Sequence, residues 1–176
     1  VALLTAGQIV GWAQEDAEWG PRALGHRSVL AGVASLGARA RIRAVAEATG
    51  DGLAGLSLAI PAPFLGDLVE MDRPPDALVA RFGALAMRLR PTEDGPFLPD
   101  FAPGGVMPVQ SVDRDTNPRL FAVAERLGIE SGVPALLQVP LRPASEPLAT
   151  TAAEALAAFR VLGLDALVLD RVVILR

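Results

Sequence analysis

Apolar residues recur along the chain in short runs broken by Gly, Pro or charge, and their spacing switches between two periods. Residues 8–13 (Q-I-V-G-W-A), 56–60, 106–112 and 133–139 are apolar runs of strand length bounded by turn residues. The runs 165–169 and 172–175, split by Asp170-Arg171, read as a hairpin. Residues 34–48 carry helical spacing and stop at Gly50-Asp51-Gly52. Leu78, Phe82, Leu85 and Leu89 predict a helix over 74–89. Asn117-Pro118 starts a helix that Gly128 stops after Leu127, and Thr151 with Glu154 forms a capping box for a helix to Leu162. Pro21 suits a first helical turn, so 22–30 is expected to open a helix. Residues 91–105, rich in Pro and Gly, read as a long flap, and 140–147 as a loop. The alternation of strands and helices predicts one α/β domain over 1–176, with a twisted mixed sheet flanked by helices.

Composition narrows the chemistry. The chain is 51% hydrophobic, yet no apolar run approaches the roughly 20 residues that span a bilayer. A net charge of −4 argues against a nucleic-acid surface. Neither a membrane nor a nucleic acid is an expected partner. No basic leader segment is visible and there is no Cys, so no signal peptide is expected and a cytoplasmic location fits. The lack of Cys, Lys and Tyr excludes thiolate ligands, Cys nucleophiles, Schiff-base and P-loop lysines, and Tyr acids. A single His cannot build a multi-His centre, and no metal site is expected. All cationic side chains are Arg, so any anion must be recognised by guanidinium groups or backbone N–H groups.

Polar chemistry is concentrated in residues 18–28, E-W-G-P-R-A-L-G-H-R-S. Arg22, after the Gly20-Pro21 turn, is a candidate to hold a phosphate, a carboxylate or a polarised carbonyl. His26 is a candidate acid–base group, because an imidazole titrates near neutral pH. These two form the catalytic set. Trp19, Arg27 and Ser28 are candidate substrate contacts. The plainer alternatives are packing for Trp19, and loop-securing and helix-capping for Arg27 and Ser28. Glu15-Asp16-Glu18 suggests a divalent ion, but without a second cluster it reads as a solvated turn.

The same residues resemble the E-[FW]-G-P-R-A-L-G-[NH]-R-S signature of the C-terminal domain of carbamoyltransferases from natural-product and nodulation-factor pathways. Val109-Gln110-Ser111-Val112 resembles that family's R-V-Q-T-V strand, and Asn117-Pro118 its N-P-x-F-Y helix. Gly132-Val133-Pro134-Ala135-Leu136-Leu137 resembles G-x-P-V-L-L, and Glu146-Pro147 resembles G-E-P. Residues 152–166 resemble P-x-D-A-x-x-x-F-x-x-x-x-L-D-x-L. The resemblance implies a fold like that of threonylcarbamoyl-AMP synthase. It also implies a domain that joins carbamoyl phosphate and ATP into a carbamoyl-adenylate, from which an actin-like N-terminal domain passes the carbamoyl group to an alcohol. Through it Gln110 and Gln138 join the candidate binding residues.

The chain departs from the family where that chemistry needs cations. The N-x-x-[IV]-K-x-R-E-x-[FW]-R-P-F-A-P block falls on 43–57, with Glu47 for its Lys, Thr49 and Leu53 for its Arg residues, and Gly50 for its Glu. H-V-D-G-T-A-R falls on 102–108, giving Ala102, Gly104 and Pro108 for its His, Asp and Arg. N-T-S-F-N becomes Gln138-Val139-Pro140-Leu141-Arg142. Each charge-assisted bond is worth about 1.5–3 kcal/mol, so adenylate formation is expected to be lost. No cofactor is then expected, and ATP only if the ancestral activity survives. Because Leu53, Ala102, Pro108, Val139, Pro140 and Leu141 are apolar, the expectation is a pocket repurposed for an apolar small-molecule substrate, in an enzyme or binding protein of natural-product biosynthesis. Two alternatives stay open: an O-carbamoyltransferase subunit working with a separate actin-like protein, and a noncatalytic pseudo-enzyme that binds a partner.

Overall fold

The computed structural model describes residues 1–20, 22–71, 77–91 and 102–176. Its strands are β1 (Val10–Ala13), β2 (Arg27–Gly32), β3 (Ser57–Pro61), β4 (Leu85–Arg88), β5 (Val106–Val112), β6 (Leu136–Pro140), β7 (Ala166–Leu169) and β8 (Val172–Leu175). They form one 8-stranded sheet in the order β4-β5-β3-β6-β2-β1-β7-β8. The β3–β5 and β1–β7 pairs are parallel and the other neighbours antiparallel, so the sheet is mixed.

Helices cover both faces: α1 (Ala2–Thr5), α2 (Leu36–Ala48), α3 (Leu65–Leu68), α4 (Ala77–Arg81), α5 (Pro118–Ser131) and α6 (Ala152–Val161). Side chains alternate across a strand, which splits the apolar residues into two cores. Val29, Ala31, Leu58, Ile60, Leu137 and Val139 pack with Ile42 of α2 and Phe159 of α6. Leu30, Ala59 and Leu136 point the other way, with Val10 and Trp12, onto Leu4 of α1 and Leu120, Phe121 and Ala124 of α5. Strands β2, β3 and β6 are buried at every position, the polar Arg27, Ser28, Ser57 and Gln138 included.

The helix starts are set by side chains. Ser35 caps α2 by accepting from the Ala38 N–H, and Asn117 caps α5 by accepting from the Leu120 N–H with Pro118 at the first helical position. The Thr151 capping box on α6 forms as predicted.

Three expectations need correction. Residues 22–30 do not open a helix; an irregular loop leads into β2 at Arg27, because Glu18 takes the Leu24 N–H and the distant Gln110 and Asn117 take its carbonyl, groups a helix would use itself. The helix drawn over 74–89 is only the five residues of α4. Gly83, at φ +60, turns the chain so that Leu85 and Met87 join β4 instead. Residues 74–76 of that expectation, and 92–101 of the flap, lie outside the described residues. Helix α5 runs past Gly128 to Ser131 and ends at Gly132, φ +80. Gly128 is there for closeness, since a Cβ would stand 2.6 Å from the Pro134 side chain. Among the described residues no helix is long and apolar enough to cross a membrane.

Candidate functional site

Residues 18–28 run between β1 and β2 on the α5 side of the sheet, and their backbone is held from both sides. The Glu18 carboxylate accepts the N–H groups of Leu24 (2.8 Å), His26 (3.0 Å) and Arg27 (3.1 Å). The Ser28 hydroxyl accepts the Gly25 N–H at 2.9 Å and donates to Glu18 at 3.4 Å. The loop carbonyls are met by donors rising from the sheet and from α5. Trp12 Nε1 donates to the Gly25 carbonyl at 3.0 Å, and Gln110 Nε2 and Asn117 Nδ2 donate to the Leu24 carbonyl at 3.0 and 3.2 Å. Burial pushes the Glu18 carboxyl above its ordinary value, against the three N–H bonds and the nearby His26, which pull it down.

Arg27 is buried and its guanidinium is spent on backbone carbonyls: Gln14 (2.8 Å), His26 (2.9 Å), Glu15 (2.9 Å) and Thr150 (3.3 Å). Arg27 and Ser28 therefore secure the loop, and Ser28 caps no helix. Gly25 sits at φ +89, where a Cβ would meet Leu120 Cδ2 at 2.3 Å and Asn117 Nδ2 at 2.9 Å. Gln138, fully buried behind Gln110, donates to Gln110 Oε1 at 2.7 Å and so fixes the amide that holds Leu24.

With the loop so built, a cleft of about 520 Å³ opens beside it. Of the sequence candidates, Trp19, His26 and Gln110 line it together. Trp19 is 93% exposed, so core packing does not account for it. The His26 Nδ1 atom is enclosed and has no partner among the described residues. Arg22 lies outside the cleft walls, beside Gly83, and its Nη1 makes one long contact, 3.5 Å, with the Ala54 carbonyl.

Sequence reasoning missed Arg81, Phe82, Thr116 and Asn117 as walls of this cleft. They come from α4 and from the start of α5, elements whose docking beside the signature loop no local pattern announces. Arg81 is held by Asp113, with Nη2–Oδ2 at 2.7 Å and Nε–Oδ2 at 2.9 Å. Glu15 and Asp16 also line the cleft, and their carboxylates have no partner among the described residues. No group of three or more His, Cys, Asp or Glu among the described residues could hold a metal ion.

The apolar replacements are not cleft walls. Ala102, Val139 and Leu141 are fully buried in the core on the α2 face, and Leu53 packs against that core. Arg142 is tied to Asp51, its Nη2 standing 2.7 and 2.6 Å from the two carboxylate oxygens.

Comparison with known proteins gives a consistent set of relatives. The family model described as carbamoyltransferase C-terminus matches residues 1–47 and 104–176. The stretch it leaves out, 48–103, contains Thr49, Gly50, Leu53 and Ala102. Nodulation protein NolO of Bradyrhizobium diazoefficiens is 28% identical over 163 residues, 92% of this chain and 29% of NolO. Nodulation protein NolNO of Sinorhizobium fredii is 28% identical over 163 residues, 92% of this chain and 23% of its own length. The chain thus spans about a quarter of the curated relatives it matches. Among solved structures, P. abyssi Sua5 complexed with L-threonine superposes with a TM-score of 0.60 at 17% identity, over 96% of this chain and 44% of that one. A doubly substituted P. abyssi Sua5 gives 0.55 at 13% identity, over 99% and 50%. These similarities establish a shared fold.

Proposed function

This chain belongs to the carbamoyltransferase C-terminus family, and from that premise we propose that it binds, and in a biosynthetic pathway transforms, a small organic molecule, with carbamoyl-adenylate formation lost. The observation that supports this most is how the cations are spent. In and around the cleft Arg27 is consumed by carbonyls and Arg81 by Asp113, while Glu15 and Asp16 stand unanswered among the described residues. Carbamoyl phosphate and ATP would bring several negative charges to a wall already negative. The family's Lys position holds Glu47, exposed at the end of α2 and outside the cleft lining, a carboxylate where the family has a cation.

Arg22 and His26 are the polar side chains of the signature left over once the loop is built. Arg22, which lies outside the cleft walls, meets only a polar group of the substrate that extends beyond them, and His26, which lines the cleft, moves a proton. Isothermal titration with millimolar ATP and with carbamoyl phosphate tests the loss of the adenylate site. The expected result is no saturable heat from either. Saturable binding of both would overturn the proposal and favour the second reading, which the lightly held Arg22 supports: an O-carbamoyltransferase subunit completed by a separate actin-like protein.

A further inference from the structure

We infer that the ligand of this cleft is an organic cation carrying an apolar body, of the aryl-alkyl amine class. The inference rests on the reading of the cleft as a small-molecule site and goes on to assign the charge of its occupant.

The walls supply two kinds of attraction. Trp19 is 93% exposed and Phe82 53% exposed, and both line the cleft with Leu24 and Ala17. Aromatic surface left in water is covered favourably by an apolar ligand, and the negative face of an indole or phenyl ring also attracts a cation. The volume of about 520 Å³ suits a molecule of this size.

The charges decide the sign. Glu18 is answered by three backbone N–H groups, and Arg81 by Asp113. What is left unanswered among the described residues is the pair of carboxylates on Glu15 and Asp16, at the same opening as Trp19. An anion is repelled there, and a neutral molecule leaves both charges unused. A divalent metal ion is a poor fit, because Glu18 is turned inward onto the loop and no third ligand completes a site among the described residues.

The test uses three probes with one apolar body: 3-phenylpropylamine, 3-phenylpropanol and 3-phenylpropionate, titrated calorimetrically into the intact chain at low salt. The amine is expected to bind saturably, about tenfold tighter than the alcohol, and to weaken as salt is added, while the propionate gives no saturable heat. The double variant Glu15→Gln/Asp16→Asn should bring the amine to the level of the alcohol. Trp19→Ala should weaken amine and alcohol together. All three side chains are exposed, so the variants are expected to melt with the parent. Equal binding of amine and alcohol overturns the inference and leaves the small-molecule reading standing. Tightest binding by the propionate, together with binding of ATP, overturns both. No binding of the amine overturns the inference, and the ATP and carbamoyl phosphate titrations then judge the broader reading separately.

Discussion

Glu18, Gly25, Arg27 and Ser28 all serve the backbone of their own loop, so the most recognisable polar motif of the chain is largely scaffolding. Replacing Glu18 by Ala leaves three N–H groups without their acceptor. At about 1–3 kcal/mol for each buried unsatisfied donor, partly relieved by water, a loss of several kcal/mol is expected. Millimolar acetate should recover part of it in Glu18→Ala and none in the parent, which a thermal melt reads directly. Gly25→Ala combines a left-handed backbone with a 2.3 Å contact on Leu120. It should cost about 2–4 kcal/mol in urea unfolding. The signature was legible as a motif, but the division of labour inside it was not. Whether an Arg reaches for a ligand or for the carbonyls of Gln14 and Glu15 depends on where those carbonyls end up in space.

At the scale of elements, α6 shows what a local signal can do. Thr151 and Glu154 cap the helix reciprocally, with Glu154 Oε2 accepting from the Thr151 N–H at 2.9 Å and the Thr150 N–H at 2.7 Å. Thr151→Ala should cost about 1 kcal/mol by chemical denaturation. Those N–H bonds, that of Thr151 foremost, hold the Glu154 carboxyl down to about 2, against an ordinary 4.5. Its contribution is therefore fully present above pH 4.5 and is lost as the pH falls toward 2. Urea melts of Glu154→Gln should converge with those of the parent across that window. Strand β5 and the β7–β8 hairpin were equally legible, because period and turn residues agree there. The 22–30 segment was not, since the groups that hold Leu24 lie 86 and 93 residues further on, at Gln110 and Asn117. The 74–89 segment misled because Leu85 and Leu89 fit a helical period as well as a strand, and Gly83 decided between them.

At the scale of the whole molecule, the alternation of elements announced an α/β sheet with helices on both faces, and one mixed sheet between two cores is what forms. Strand order carried no such signal. β1 lies between β2, its successor, and β7, with Val10 beside Ala166 and the Ile9 N–H on Asp165 across 156 residues. That pairing sets an order of events. Long-range closures of this kind come late in folding, after local helices and hairpins. The signature loop depends on long-range partners too: Arg27 needs Thr150, and Leu24 needs Gln110 of β5. In pulse-labelled hydrogen exchange, the amides of Leu24, His26 and Arg27 should become protected together with β7, not with the early α2 and α5. A chain that has not yet grown past α5 would then hold the motif as a slack segment. The site comes into being as one of the last acts of folding, so any lesion that delays the C-terminal strands should blunt the cleft before it unravels the sheet.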